Sequence, residues 1–206
     1  MPPKCKFSKD EIIQTALNMV RTDGIGSITA RSLGAALGAS SKPIFSLFEN
    51  MEDLLQDVMK AARNTYNAYV TAGLSQTPAF KGVGTQYIRF AKNEPKLFQL
   101  LFMSEQTLSK TGQTLSKTGQ REKTDALGIL PLIDDNYGEI LSSIRNGYNV
   151  GDGDAKILYQ HLWIYTHGIA SLLATNVCTF SDSEIDNLIS EVFRALLVDI
   201  KKGKLQ

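Results

Sequence analysis

The sequence predicts an all-α protein, and three observations carry that reading. Strand-like alternation is nearly absent, and helical periodicity recurs along the chain. Near the C-terminus, Ile185, Leu188, Ile189, Val192, Phe193, Leu196, Leu197 and Ile200 follow i, i+3, i+4, i+7, i+8, i+11, i+12 and i+15, one continuous apolar face.

Each element has its own start and stop. Ser8 with Glu11 three residues later forms a capping-box pattern. Ile12, Ile13, Ala16, Leu17 and Val20 share one face of the helix that follows, and Gly24 ends it. Thr29 caps a short helix over 30–37, with Leu33, Ala36 and Leu37 facing inward. Gly38, Ala39 and Ser40 make a turn, and a second short helix covers roughly 41–47 with Ile44 and Phe48 as anchors.

Pro43 fixes where that second helix begins. In a helix interior proline costs about 3 kcal/mol, whereas in the first turn the missing N–H has no intrahelical partner to lose. The helix therefore starts near Ser40 or Ser41. A crossing of two short helices needs a small residue, for which Ala35 and Ala36 are the candidates.

Asn50 caps a longer helix to about 72, with Leu54, Leu55, Val58, Met59 and Ala62 on its buried face. Thr77 reads as the next cap, with Pro78 at the first helical position. Phe80, Val83, Tyr87, Phe90 and Ala91 form the stripe of that helix, and Asn93-Glu94-Pro95 breaks it. Residues 96–103 make a short, strongly apolar helix.

Residues 107–120 repeat TLSKTGQ twice. Each copy has one leucine and one glycine, so no a/d seam exists, and the repeat reads as a lengthened polar surface loop. Helices are expected over about 121–147, then from an Asp154 cap to about 177, then from a Ser181 cap onward.

Composition narrows the function classes. Net charge is +1 over 206 residues, so no global field draws the chain to nucleic acid or anionic lipid. Residues 1–48 depart from this, with Lys4, Lys6, Lys9, Arg21, Arg31 and Lys42 against Asp10, Glu11 and Asp23. Cys5 and Cys178 suggest neither a disulfide framework nor metal-ligand spacing, and a reduced cytoplasmic setting is the simple reading. The N-terminus lacks the apolar core of a signal peptide, and no window has about 18 consecutive apolar residues. His161 and His167 are six apart and do not make a metal pair. With no Gly-rich phosphate loop after a strand, no enzyme, cofactor or metal site is expected.

Two short helices joined by a glycine turn match a helix-turn-helix pattern. Residues 8–55, through EIIQTALNMVRTDGIGSITARSLGAALGAS and PIFSLFENMEDLL, resemble the N-terminal domain of the tetracycline-repressor (TetR) family of bacterial regulators. KNEPKLFQLLF and WIYTHGIASLL look like pieces of a C-terminal subtype with a Trp-x-x-x-His-Gly segment, here Trp163, His167 and Gly168. The resemblance implies a helix-turn-helix head over 1–49 and a helical effector-binding and dimerisation body over 50–206. It also implies a homodimer, paired through the last two helices, on a palindromic double-stranded DNA operator.

On that reading the DNA-facing candidates are Thr29, Arg31, Ser40, Ser41, Lys42, Pro43 and Phe45, joined by Lys4 and Lys6 of the tail. Hydroxyls, helix N-termini and lysines suit phosphate contact, and Lys42 can also reach a base edge. An unknown small apolar or amphipathic effector would sit inside the body, near Tyr87, Phe90, Phe98, Phe102, Met103, Trp163 and His167. The chain departs from the family at Phe45, Leu47 and Met51, where members usually carry tyrosine, histidine and lysine that touch phosphate. These apolar replacements motivate an alternative: a dimeric ligand-binding or protein-interaction module with weakened or lost DNA binding.

Overall fold

The computed structural model describes residues 7–104 and 130–205. Lys4, Cys5, Lys6, the 107–120 repeat and the first part of the helix expected from residue 121 lie outside them. The described residues form helices and turns, with no strand among them.

Helix α1 (Lys9–Asp23) begins at Ser8, whose Oγ accepts from the Glu11 N–H while the Glu11 Oε2 accepts from the Ser8 N–H. Ile12, Ala16, Leu17 and Val20 are buried. Gly24, at φ +83°, ends the helix in a conformation that favours glycine. A 3₁₀ turn (Ile25–Ser27) leads to α2 (Ala30–Ala36), capped by Thr29 with Ser32 completing the box.

The buried face of α2 is centred on Leu33 and Gly34, with Leu37 half-buried. Ala36 falls on the opposite flank and is exposed, as is Ala35, so neither is the small residue at the crossing. Gly34 fills that role. A Cβ there would lie 3.0 Å from the Ser40 carbonyl carbon. Gly38 turns the chain at φ +65°.

Helix α3 (Lys42–Phe45) is shorter than the 41–47 expected, because the chain leaves it through turns at Ser46 and Leu47. Pro43 stands in its first turn, and Ile44 and Phe48 anchor it in the core.

Helix α4 (Met51–Leu74) is capped by the Asn50 side chain, which accepts from the Asp53 N–H. Its buried line runs Leu54, Val58, Ala62, Tyr66, Val70. The helix packs on α1 and along α5 (Ala79–Asn93). Pro78 is itself the cap of α5, not its first helical residue, because its ψ of 141° keeps it extended. Where α4 meets α5, Gly73 and Gly82 let the backbones touch. A Cβ on Gly73 would sit 2.7 Å from the Val83 Cα, and one on Gly82 would strike the Gly73 carbonyl oxygen.

Glu94 joins α5 to α6 (Pro95–Phe102) and receives the Arg21 Nε at 2.9 Å, tying α1 to this corner. The following described helices are α7 (Leu130–Ile133), α8 (Tyr137–Tyr148), α9 (Asp152–Ala174) and α10 (Asp182–Lys201). The single helix expected to 147 is therefore interrupted at 134–136. There the Asp134 Oδ1 accepts from the Asn136 N–H and closes a local turn in place of the helical ladder. Helix α9 starts at a Gly151 cap, with Asp152 and Asp154 both in its first turn rather than Asp154 as the cap, and it ends at Ala174, three residues short of the expected end.

Helix α5 is central, packing on α4, α6, α8 and α9, while α10 packs on α9. One apolar cluster runs from Ile12 of α1 to Ile200 of α10. No described helix is long and apolar enough to cross a membrane.

Candidate functional site

Two places carry surface or space that packing alone does not account for. The first is the α2–α3 corner. Thr29 is exposed, and its Oγ1 is engaged with Ser32, accepting from the Ser32 N–H at 3.0 Å. Arg31, Ser40 and Lys42 are exposed, and Ser41 and Pro43 are half-buried. The Ser40 Oγ faces the Lys42 N–H at 3.4 Å.

Phe45 is 49% exposed, so much of its ring is open to solvent at this corner. Leu47 and Met51 differ from it, because both are half-buried and pack against the core. The corner is fastened to α4 by Lys9, whose Nζ lies 2.7 Å from the Asp57 Oδ2 and 4.9 Å from the centre of the Phe48 ring.

The second is a cavity of about 840 Å³ between α5, α9 and α10, reached also by Tyr66 of α4 and Tyr148 of α8. Its walls are mostly apolar, from Phe80, Tyr87, Leu162, Trp163, Ile189 and Phe193. Lys81, Lys92, Asp182 and Asp186 also line it. Two ion pairs join α5 to α10 there, Lys81–Asp186 at 2.6 Å and Lys92–Asp182 at 3.2 Å.

Of the seven ligand-site residues expected from sequence, Tyr87 and Trp163 line this cavity. Phe90, Phe98, Phe102 and His167 stand beside Tyr87 in one aromatic cluster but do not line the cavity. Met103 belongs to neither group. It is 45% exposed and lines a shallow depression with Gly24 and Lys96.

The four-residue spacing stacks Trp163 on His167, with ring centres 4.8 Å apart and planes at 11°. The His167 Nδ1 is 2.9 Å from the Tyr87 hydroxyl. Burial lowers the His167 pKa, which favours the neutral ring able to accept that bond.

Sequence reasoning missed the polar group behind the cavity. Asp134 is buried, and its Oδ2 accepts from the Tyr159 hydroxyl at 2.9 Å and the Tyr66 hydroxyl at 3.3 Å. Tyr66 and Tyr159 both line the cavity. Desolvation raises the Asp134 pKa, partly offset by the bonds from Tyr159, the Asn136 N–H and Tyr66. Tyr66 could have been found by extending the Leu54, Val58, Ala62 line by one further turn. Asp134 has no such signal, since two adjacent aspartates between apolar segments read as an exposed loop.

Among the described residues, no group of three or more His, Cys, Asp and Glu side chains is placed to hold a metal ion. No protein-family model matches the chain, and no curated protein matches it closely.

Proposed function

We propose that the chain is a ligand-responsive DNA-binding regulator of the TetR type, a cytoplasmic homodimer released from its operator when an effector fills the body. In this reading residues 1–49 form the helix-turn-helix head and residues 50–206 the effector-binding and dimerisation body. The observation that carries it is the course of α4. This one unbroken helix packs against α1 near its start and lends Tyr66 to the wall of the 840 Å³ cavity. A ligand that favours one position of α4 would thereby bias the position of the head.

The head has the means to touch DNA. Lys42 and Arg31 are exposed beside a helix start, and Phe45 offers an apolar face of the kind that packs against a thymine methyl. Dimerisation has support in the exposed row Ile164, Gly168, Leu172 on α9 and in Val198 on α10. A side chain at Gly168 would meet nothing within 4 Å, so a partner helix can approach closely there. A twofold dimer would set two recognition helices about 34–36 Å apart.

A second reading, a dimeric ligand-binding or protein-interaction module, draws on Leu47 and Met51. Both serve packing and supply no phosphate donor. One experiment separates the two. The chain is titrated against DNA from the promoters of its own and adjacent genes at several salt concentrations. Regulation requires tight, sequence-selective binding that weakens in Lys42→Ala and is reversed by a cavity ligand. The absence of binding above non-specific background at low salt overturns it in favour of the second reading.

A further inference from the structure

The chemistry of the cavity wall goes beyond a generic apolar pocket. Three of its tyrosines have their hydroxyls committed to protein partners. Tyr66 and Tyr159 donate to Asp134, and Tyr87 is bonded to His167. Tyr66 and Tyr159 thus have no hydroxyl proton free for an anionic ligand, and the Tyr87 hydroxyl is occupied by the His167 ring. What they offer is ring surface, extended by Trp163 and Phe80. Ring faces attract cations through the aromatic quadrupole. Donation of a phenol O–H to a carboxylate enriches its ring in electrons and strengthens that attraction.

Asp134 adds a charge of the same preference. It is 3% exposed, so its field reaches the cavity with little screening by salt. Burial favours its neutral form, and three donated hydrogen bonds, from Tyr159, the Asn136 N–H and Tyr66, offset this in part. The positive groups at the cavity are placed differently. Lys81 and Lys92 are paired to Asp186 and Asp182. Arg89 and Arg194 are exposed, where salt screens them.

We propose that the cavity takes an organic cation with an apolar body, held by the faces of its tyrosines and tryptophan and by the Asp134 carboxylate behind them. The proposal rests on the reading that this cavity is an effector site, and it names the class of effector.

Tetraphenylphosphonium and tetraphenylborate test it, being alike in shape and opposite in charge. Their binding to the full chain is measured by calorimetry without DNA. The phosphonium is expected to bind about tenfold tighter or more, and Asp134→Asn to bring that preference to about threefold or less. Should the variant not fold, the wild type is titrated from about 0.05 to about 0.5 M salt, across which a preference set by a buried charge persists. Equal or tighter binding of the borate, binding of neither ion, or a preference that collapses with salt would overturn the proposal. Because no DNA is present, failure here is distinct from failure of the regulator reading. Loss of operator binding alone would leave the cation site standing.

Discussion

The Tyr159 hydroxyl donates to the Asp134 Oδ2 at 2.9 Å, joining α9 to the bend between α7 and α8. Tyr66 of α4 donates to the same oxygen, so three parts of the body meet at one buried carboxylate. Such a charge is tolerable inside a protein only while its hydrogen bonds are kept.

Tyr159→Phe should therefore destabilise the fold by about 1.5–3 kcal/mol at neutral pH, the range for bonds to a charged group. The pH trend has a definite sign. Burial already raises the folded-state pKa of Asp134, and losing a donor raises it further. The folded chain then takes up its proton before the unfolded chain does, so acidification favours the folded form. The deficit of Tyr159→Phe should shrink as pH falls from 7 toward the ordinary carboxylate range. Urea unfolding of both proteins at several pH values checks this, and a deficit that grows with acid would contradict it.

Two glycines of α5, two positions apart, should respond in opposite ways. Gly82→Ala drives a methyl into the Gly73 carbonyl and should cost about 1–3 kcal/mol by overpacking. At Gly84 an added Cβ meets nothing within 4 Å, and the residue is helical. Gly84→Ala should gain about 0.5–1 kcal/mol from helix propensity. Denaturant midpoints of the two variants decide it.

Local signals made much of the fold legible. The caps at Ser8, Thr29, Asn50 and Ser181 each stand where the sequence places them, because capping is decided within four residues. The stripe of α5 is also as read, with Phe80, Val83, Tyr87, Phe90 and Ala91 all buried. What escaped depends on contacts distant in sequence. The crossing glycine proved to be Gly34, because its neighbour is the Ser40 backbone rather than anything in its own helix. The break at Asp134 and its clamp join residues 25 and 68 positions apart. Periodicity identified the aromatic residues of the body but could not tell which of them face the cavity, since Tyr87 and Phe98 are equally apolar in pattern.

The apolar face of α10 leads to a third prediction. Of its eight residues only Ile185 and Ile200 are buried within the chain, and the other six are half-buried. Ile164 is 54% exposed and Val198 48%. Ile164→Glu combined with Val198→Glu places charges on the proposed dimer face without entering the core. Sedimentation should shift to the 22.7 kDa monomer while the helical circular dichroism is kept. A wild type that already sediments as a monomer at micromolar concentration would remove the dimer from the model of action.

The last prediction separates the two exposed residues of α3. Phe45 and Lys42 both face solvent, so replacing either with alanine should change fold stability by no more than about 0.5 kcal/mol. Their effects on DNA should differ in kind. Lys42→Ala removes a charge, so as a phosphate contact it would lower the slope of log affinity against log salt by about 1 and weaken all sequences alike. Phe45→Ala removes an apolar face and no charge. It should leave the slope unchanged and reduce the ratio of specific to non-specific binding, as loss of a thymine-methyl contact does. Anisotropy titrations of both variants on operator and scrambled DNA, each at several salt concentrations, give slope and ratio together. A Phe45→Ala variant with an unchanged ratio would assign the exposed ring to a protein partner instead of a base.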